Sequence, residues 1–207
     1  VKAYHQVGVT DSEYLTGDEV LKRWPWLSPE IKAGAFRAKD GWFSAHEVTQ
    51  GFARASDNTR FLFISWATAI ETDAQGICAV ITDRGRINTR VVINAAGPFA
   101  ITVGRWVGLD LPIYQMRRQR VFVAPHPKIP QQAPLIMDVD NDSYWRPETG
   151  GALLGWHDPD EQQSDPMEDP QSDWDFPAFN LEMVSRLSPF WSEVVEDLKQ
   201  EDLSVYA

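Results

Sequence analysis

Three groups of residues in this chain carry side chains, or a marked lack of them, that chemistry can use. The first is Arg90-Val91-Val92-Ile93-Asn94-Ala95-Ala96-Gly97-Pro98. Its β-branched start reads as a strand buried on both faces. Its Ala-Ala-Gly end lets another body approach the backbone closely, and Pro98 pre-sets the first turn of a helix. Strand, tiny-residue corner and helix start make a layout that receives a nucleotide's phosphates or ribose; a plain tight corner has the same pattern. The second group is Arg117, Arg118 and Arg120. Guanidinium forks bind carboxylate or phosphate, and in an acidic chain they also serve as salt-bridged surface. The third is Tyr144 and His157, which flank a hairpin pattern turning at Gly150-Gly151. By type alone they are a half-buried strand tyrosine and a strand-end surface histidine.

The elements that must position these groups follow from spacing. Thr16-Gly17-Asp18-Glu19 and Ser44-Ala45-His46-Glu47 are capping-box patterns, predicting helices that run to Pro25 and through Ala55. Strands are expected over 34–38, 60–66, 69–72, 77–82 and 87–94, with turns at Asp73–Gly76 and Asp83–Arg86 that fold the later ones into an antiparallel meander. A helix should run over 98–107, stopped by Gly108. Residues 112–124 read as one long strand, 135–138 and 203–206 as short ones, and 179–187 and 189–198 as helices. Helices interspersed among many strands predict an α+β fold, a mixed and largely antiparallel sheet with flanking helices.

Composition narrows the function. The chain has 207 residues and a formal net charge of −11, which argues against a nucleic-acid partner. No apolar run is long enough to span a bilayer, and no signal peptide is recognisable. The single cysteine, Cys78, precludes an internal disulfide and suits the reducing cytoplasm; in its apolar run it reads as a small core residue. The acidic, proline-bearing stretch 158–175 lacks the spacing of a calcium loop, and no metal site is expected. Both ends read as cut from a longer polypeptide.

Residues Thr82-Asp83-Arg84-Gly85-Arg86-Ile87, followed by Thr89 through Pro98, resemble the mid-chain segment of FAD-dependent oxidoreductases of the D-amino-acid oxidase superfamily. The glycine oxidase, sarcosine oxidase and dimethylglycine dehydrogenase group is the nearest branch. A second likeness, Y-x-x-P…G-G-x-L-x-G-x-H, is carried by Tyr144, Pro147, Gly150, Gly151, Leu153, Gly155 and His157. The resemblance implies that Asn94, Ala95, Ala96 and Gly97 lie against FAD, and that the backbone around Ala67 meets its adenine end. It implies that the hairpin roofs a substrate cavity, with Tyr144 and His157 facing the substrate. Trp145, beside them, is expected as a wall of that cavity or as core, and Arg118 as an anion contact.

By the same resemblance, residues 1–110 would belong to a FAD-binding domain with its β-meander and residues 111–207 to a substrate-binding domain. The dinucleotide fingerprint G-x-G-x-x-G is missing from the sequence, so FAD is expected in the intact protein but not bound to this chain alone. The implied activity is oxidation of the C–N bond of a small amine or amino acid by hydride transfer to flavin. Two other roles fit the acidic, aromatic-rich composition: a non-catalytic interaction module, or a scaffold subunit of a heteromeric dehydrogenase. A partner subunit or a homo-oligomer is compatible with any of these.

Overall fold

A computed structural model describes residues 1–207. The chain forms two compact units. One comprises Val1–Trp42, Arg117–Glu161 and Asp169–Ala207; the other comprises Phe43–Met116 and Gln162–Glu168. The first 42 residues thus cluster with the C-terminal part of the chain. Helices and antiparallel strands are mixed in both, as the α+β expectation requires.

The first unit is built on a five-stranded antiparallel sheet in the order Leu203–Tyr206, Arg120–Val123, Gly151–Gly155, Tyr144–Glu148, Ile136–Met137. Alternation sends Val121, Val123, Trp145, Ala152 and Leu154 to one face. There they meet Phe176, Leu181 and Val184 of the helix Phe176–Leu187 and Trp191 and Val194 of the helix Phe190–Val195. Trp145 is the centre of this core. Its ring meets Phe190, Trp191 and Trp26 at centroid distances of 5.3, 5.6 and 5.6 Å. Edge-to-face pairs of this kind add roughly 0.5–1.5 kcal/mol each beyond burial. Its indole N–H donates to Ser188 Oγ at 2.8 Å, so the buried polar atom is satisfied.

A two-stranded ladder, Glu13–Thr16 with Ala33–Phe36, completes this unit. The helix Gly17–Arg23 springs from it through the capping box read in the sequence: Thr16 Oγ1 accepts from the Glu19 N–H, and the Glu19 carboxylate accepts from the Thr16 N–H.

The second unit holds the meander Ala67–Asp73, Gly76–Thr82, Gly85–Asn88, the helix Ala45–Arg54 capped by Ser44, and the turn Gly97–Phe99 leading into the helix Ala100–Arg105. A short ladder pairs Gln115–Met116 with Gln163–Ser164.

Three expected strands are corrected. Residues 60–66 form no strand; Ile64 has a φ of +51°, which breaks extended backbone, and Phe61, Leu62, Phe63 and Ile64 are exposed. The strand begun at Gly85 stops at Asn88 rather than Asn94. Thr89 Oγ1 captures the Val91 N–H at 3.2 Å and donates to the Val91 carbonyl at 2.9 Å, diverting the chain into a local turn. The run expected to be buried on both faces is open instead: Val91 is 74% and Ile93 86% exposed. The long strand expected over 112–124 is interrupted at 117–119. Gln119 is buried and accepts the Asp173 N–H at 2.6 Å, and Arg117 donates to the Gln171 carbonyl at 2.8 Å, so these side chains hold a loop in place of a ladder.

The hairpin turn tolerates only glycine at its second position. A Cβ on Gly151 would lie 1.9 Å from the Val123 carbonyl oxygen, a backbone atom of the neighbouring strand that cannot step aside. Gly151→Ala should therefore cost about 3 kcal/mol through forced overpacking. Its denaturation midpoint should fall well below that of the parent chain; an unchanged midpoint would show that the sheet yields there.

Candidate functional site

In the first unit the pleat turns Tyr144, Arg146 and Glu148 away from the core that holds Trp145 and Pro147. Tyr144 pairs with Gly155 on the adjacent strand. A Cβ on Gly155 would fall 2.3 Å from Tyr144 Cζ and 2.4 Å from its hydroxyl oxygen, so the ring lies flat across the glycine. Gly155 in turn pairs with Arg120, which neighbours Tyr206, placing both on this second face of the sheet. The Tyr144 hydroxyl and the Arg120 guanidinium make no hydrogen bond or ion pair within the chain.

His157 follows two residues beyond Gly155, on the far side of Trp156. The Trp156 indole N–H donates to the Asn141 carbonyl at 2.9 Å and its ring stacks on Phe176. The His157 ring is half-exposed; its Nε2 meets the Arg118 guanidinium, and its Nδ1 lies 4.0 Å from Asp142 Oδ2. The structure thus gathers Tyr144, Gly155, His157 and Arg118 at one end of the hairpin.

Two expectations for this group change. Trp145 is no cavity wall: at 1% exposure, with its N–H given to Ser188, it offers a ligand no surface. Arg117, the neighbour of Arg118, is committed to Glu161 at 3.3 Å and to the Gln171 carbonyl, and serves as a loop clasp. Arg120 entered the sequence reading only as one of three arginines, and Asp142 was not singled out. The alternation of 120–123 was the available signal for Arg120. The run Asp140-Asn141-Asp142 before a strand hints at a turn but says nothing of a histidine across it.

In the second unit the corner Asn94-Ala95-Ala96-Gly97 is cross-braced. Asn94 Nδ2 donates to the Ala100 carbonyl at 2.8 Å and its Oδ1 accepts the Ala96 N–H at 3.3 Å. Gly97 sits at φ +52°, where a side chain is strained, and Gln115 donates to the Pro98 carbonyl at 2.6 Å. Asn94, Ala95 and Gly97 are exposed, and a Cβ on Gly97 would meet nothing within 4 Å. Ala67 opens the first meander strand opposite Thr82, also exposed. Arg90 ties the approach to the corner back to the meander through Asp73, at 2.8 Å.

The family model described as "FAD dependent oxidoreductase" matches residues 1–202. The chain belongs to this FAD-dependent oxidoreductase family. Among curated members it is 24% identical over 159 residues to mitochondrial dimethylglycine dehydrogenase of Rattus norvegicus, covering 74% of this chain and 19% of that protein. It is 29% identical over 146 residues to glycine oxidase of Geobacillus kaustophilus, covering 69% and 37%. Among solved structures, L-proline dehydrogenase from P. horikoshii superposes with a TM-score of 0.76 at 20% identity, covering 91% of this chain and 51% of that one. This FAD-dependent oxidoreductase chain therefore spans well under two thirds of the length of these relatives.

Two substitutions probe the geometry. Gly155→Ala should displace the Tyr144 ring, a flexible side chain, at a small stability cost and a large change in the Tyr144 ring resonances; unchanged resonances would mean that the ring does not lie on the glycine. At the corner's approach, the Gln75 N–H and then the Arg90 guanidinium hold the Asp73 carboxyl below its ordinary value of 3.8. Stability from this cluster is present above that ordinary value and is lost as pH falls through the lowered one. Protection of the Gln75 amide, corrected for the intrinsic exchange rate, should fall on acidification through that window in the parent chain, and Asp73→Ala should show low protection at every pH. A pH-independent parent would refute the coupling.

Proposed function

We propose that the full polypeptide oxidises the C–N bond of a small amine or amino acid of the glycine, sarcosine or D-amino-acid type. Family membership supports the reaction class. The observation that carries the reading is the Tyr144 hydroxyl, free of any partner within the chain, on the same end of the hairpin as the Arg118–His157 pair. A phenol and a guanidinium are the donors that hold a carboxylate by hydrogen bonds. Tyr144 and Arg118 would bind and orient the substrate carboxylate, and His157 would shape the electrostatics beside them.

The corner in the second unit fits a flavin nucleotide. Its exposed Asn94, Ala95 and Gly97 carry little bulk, its turn is already braced by the Asn94 side chain, and the space beyond Gly97 is open. Ala67, Asn94, Ala95, Ala96 and Gly97 would hold FAD there. Bound FAD supplies the hydride acceptor for the carbon beside the substrate nitrogen. The sequence lacks a G-x-G-x-x-G to grip the pyrophosphate, so this chain alone is proposed not to retain FAD. In this reading the meander and corner belong to a flavin-binding part within 1–110, and the hairpin to a substrate-binding part within 111–207.

The exposed apolar stretches at Phe61–Ile64 and at Val91 and Ile93 favour a covering partner, whether a further length of the same polypeptide or another subunit. Placement in the cytoplasm is supported by the lone thiol, Cys78.

Anaerobic addition of glycine, N-methyl amino acids and D-amino acids to the full-length, FAD-loaded protein tests the activity. At least one should bleach the oxidised flavin absorbance, with no change on adding matched carboxylic acids that lack nitrogen. Failure of every amine to bleach it would overturn the proposal.

A further inference from the structure

One row of the open sheet face sets two unpaired donors on either side of a bare position. Tyr144 pairs with Gly155 and Gly155 with Arg120, so the three stand side by side on one face, with Tyr206 beyond Arg120. Gly155 contributes no side chain to the row. The Tyr144 ring, lying across it, carries its hydroxyl over the middle strand toward Arg120. Neighbouring strands are about 4.8 Å apart, so the phenol oxygen and the base of the Arg120 side chain stand roughly one strand spacing from each other. Arg120 is exposed, and the ring of Tyr206 beside it is turned onto Phe122 at a centroid distance of 5.4 Å.

Every other arginine of this unit is engaged. Arg117 and Arg146 are held by Glu161 and Glu148, and Arg118 by His157. Arg23, Arg37 and Arg186 likewise have carboxylate partners. The chain has a net charge of −11, so carboxylates are in excess, yet none is placed against Arg120. A guanidinium kept clear of internal acids, beside a phenol that also has no internal partner, is suited to an acid from outside.

We infer that Arg120 is a specificity-determining residue: its guanidinium and the Tyr144 hydroxyl, on either side of Gly155, together hold one carboxylate. The guanidinium donates its fork to the carboxylate oxygens, and the phenol O–H donates to a remaining lone pair. Gly155 is the floor beneath them. That the carboxylate is the substrate's own rests on the proposed function; that a carboxylate binds there does not. As a substrate site, the pair selects amino acids over amines of similar size that lack the acid.

Sodium acetate is titrated into the chain at neutral pH, replacing sodium chloride at constant ionic strength. The Arg120 Nε–H and Tyr144 ring resonances should shift along one saturable curve. Arg120→Gln should weaken acetate binding, followed at Tyr144, about tenfold or more, and Arg120→Lys, which keeps the charge but loses the fork, should fall between Gln and the parent. In the full-length, FAD-loaded protein, Arg120→Gln should raise KM for the best amino-acid substrate about tenfold. Shifts that sodium chloride alone reproduces, acetate binding undiminished by Arg120→Gln, or a KM that ignores Arg120→Gln in an active enzyme would each overturn the inference. A full-length protein that oxidises no amine would refute the proposed function and leave the acetate result standing.

Discussion

A sheet strand can bury only every second residue, and Trp145 determines which residues of this hairpin are buried. Its indole fills the space between the sheet and the two C-terminal helices, and its N–H is matched by Ser188. A one-residue slip of register would drive that ring into solvent and pull Tyr144 inside, so the packing of one side chain fixes the outward direction of its neighbour. Everything proposed for the open face inherits this constraint. Tyr144 is outward because Trp145 is inward; Gly155 is bare because the Tyr144 ring crosses it.

The second unit works by the opposite economy. Its corner is stiffened from within by Asn94 and Gln115 and leaves its surface to small residues. Stiffness without bulk is what a backbone needs if a large planar ligand is to lie against it. The apolar run that leads into it, Val91 to Ile93, is not folded into any ladder, and Thr89 shows how the chain manages that: a side-chain hydroxyl takes over the backbone groups that a neighbouring strand would otherwise pair.

Much of this was legible in the sequence, and the failures share one cause. The capping box at Thr16, the Gly150-Gly151 turn, the meander and the C-terminal helices depend on residues close together in the chain, and local pattern found them. The hairpin motif and the 82–98 segment pointed to the family, which residues 1–202 bear out. Trp145, the stretch 60–66 and the end of the strand after Asn88 were misread, because whether an apolar residue is core, wall or open surface depends on partners remote in sequence. The alternation around Tyr144 and Trp145 was visible; which face a core would cover was not. Asp142 and Arg118 meet His157 from loops 15 and 39 residues away, and no spacing rule links such positions.

The most direct measurement separates two adjacent side chains. Full-length, FAD-loaded protein carrying Tyr144→Phe or Trp145→Phe should be compared with the parent for kcat/KM on its best amine and for thermal midpoint. The account requires Tyr144→Phe to lose kcat/KM by about tenfold or more, the worth of a hydrogen bond to a charged group, at an unchanged midpoint. It requires Trp145→Phe to lower the midpoint and largely spare kcat/KM. If Tyr144→Phe turns over at the parent rate, or if Trp145→Phe loses turnover at the parent midpoint, the open face of the sheet is not where the substrate binds.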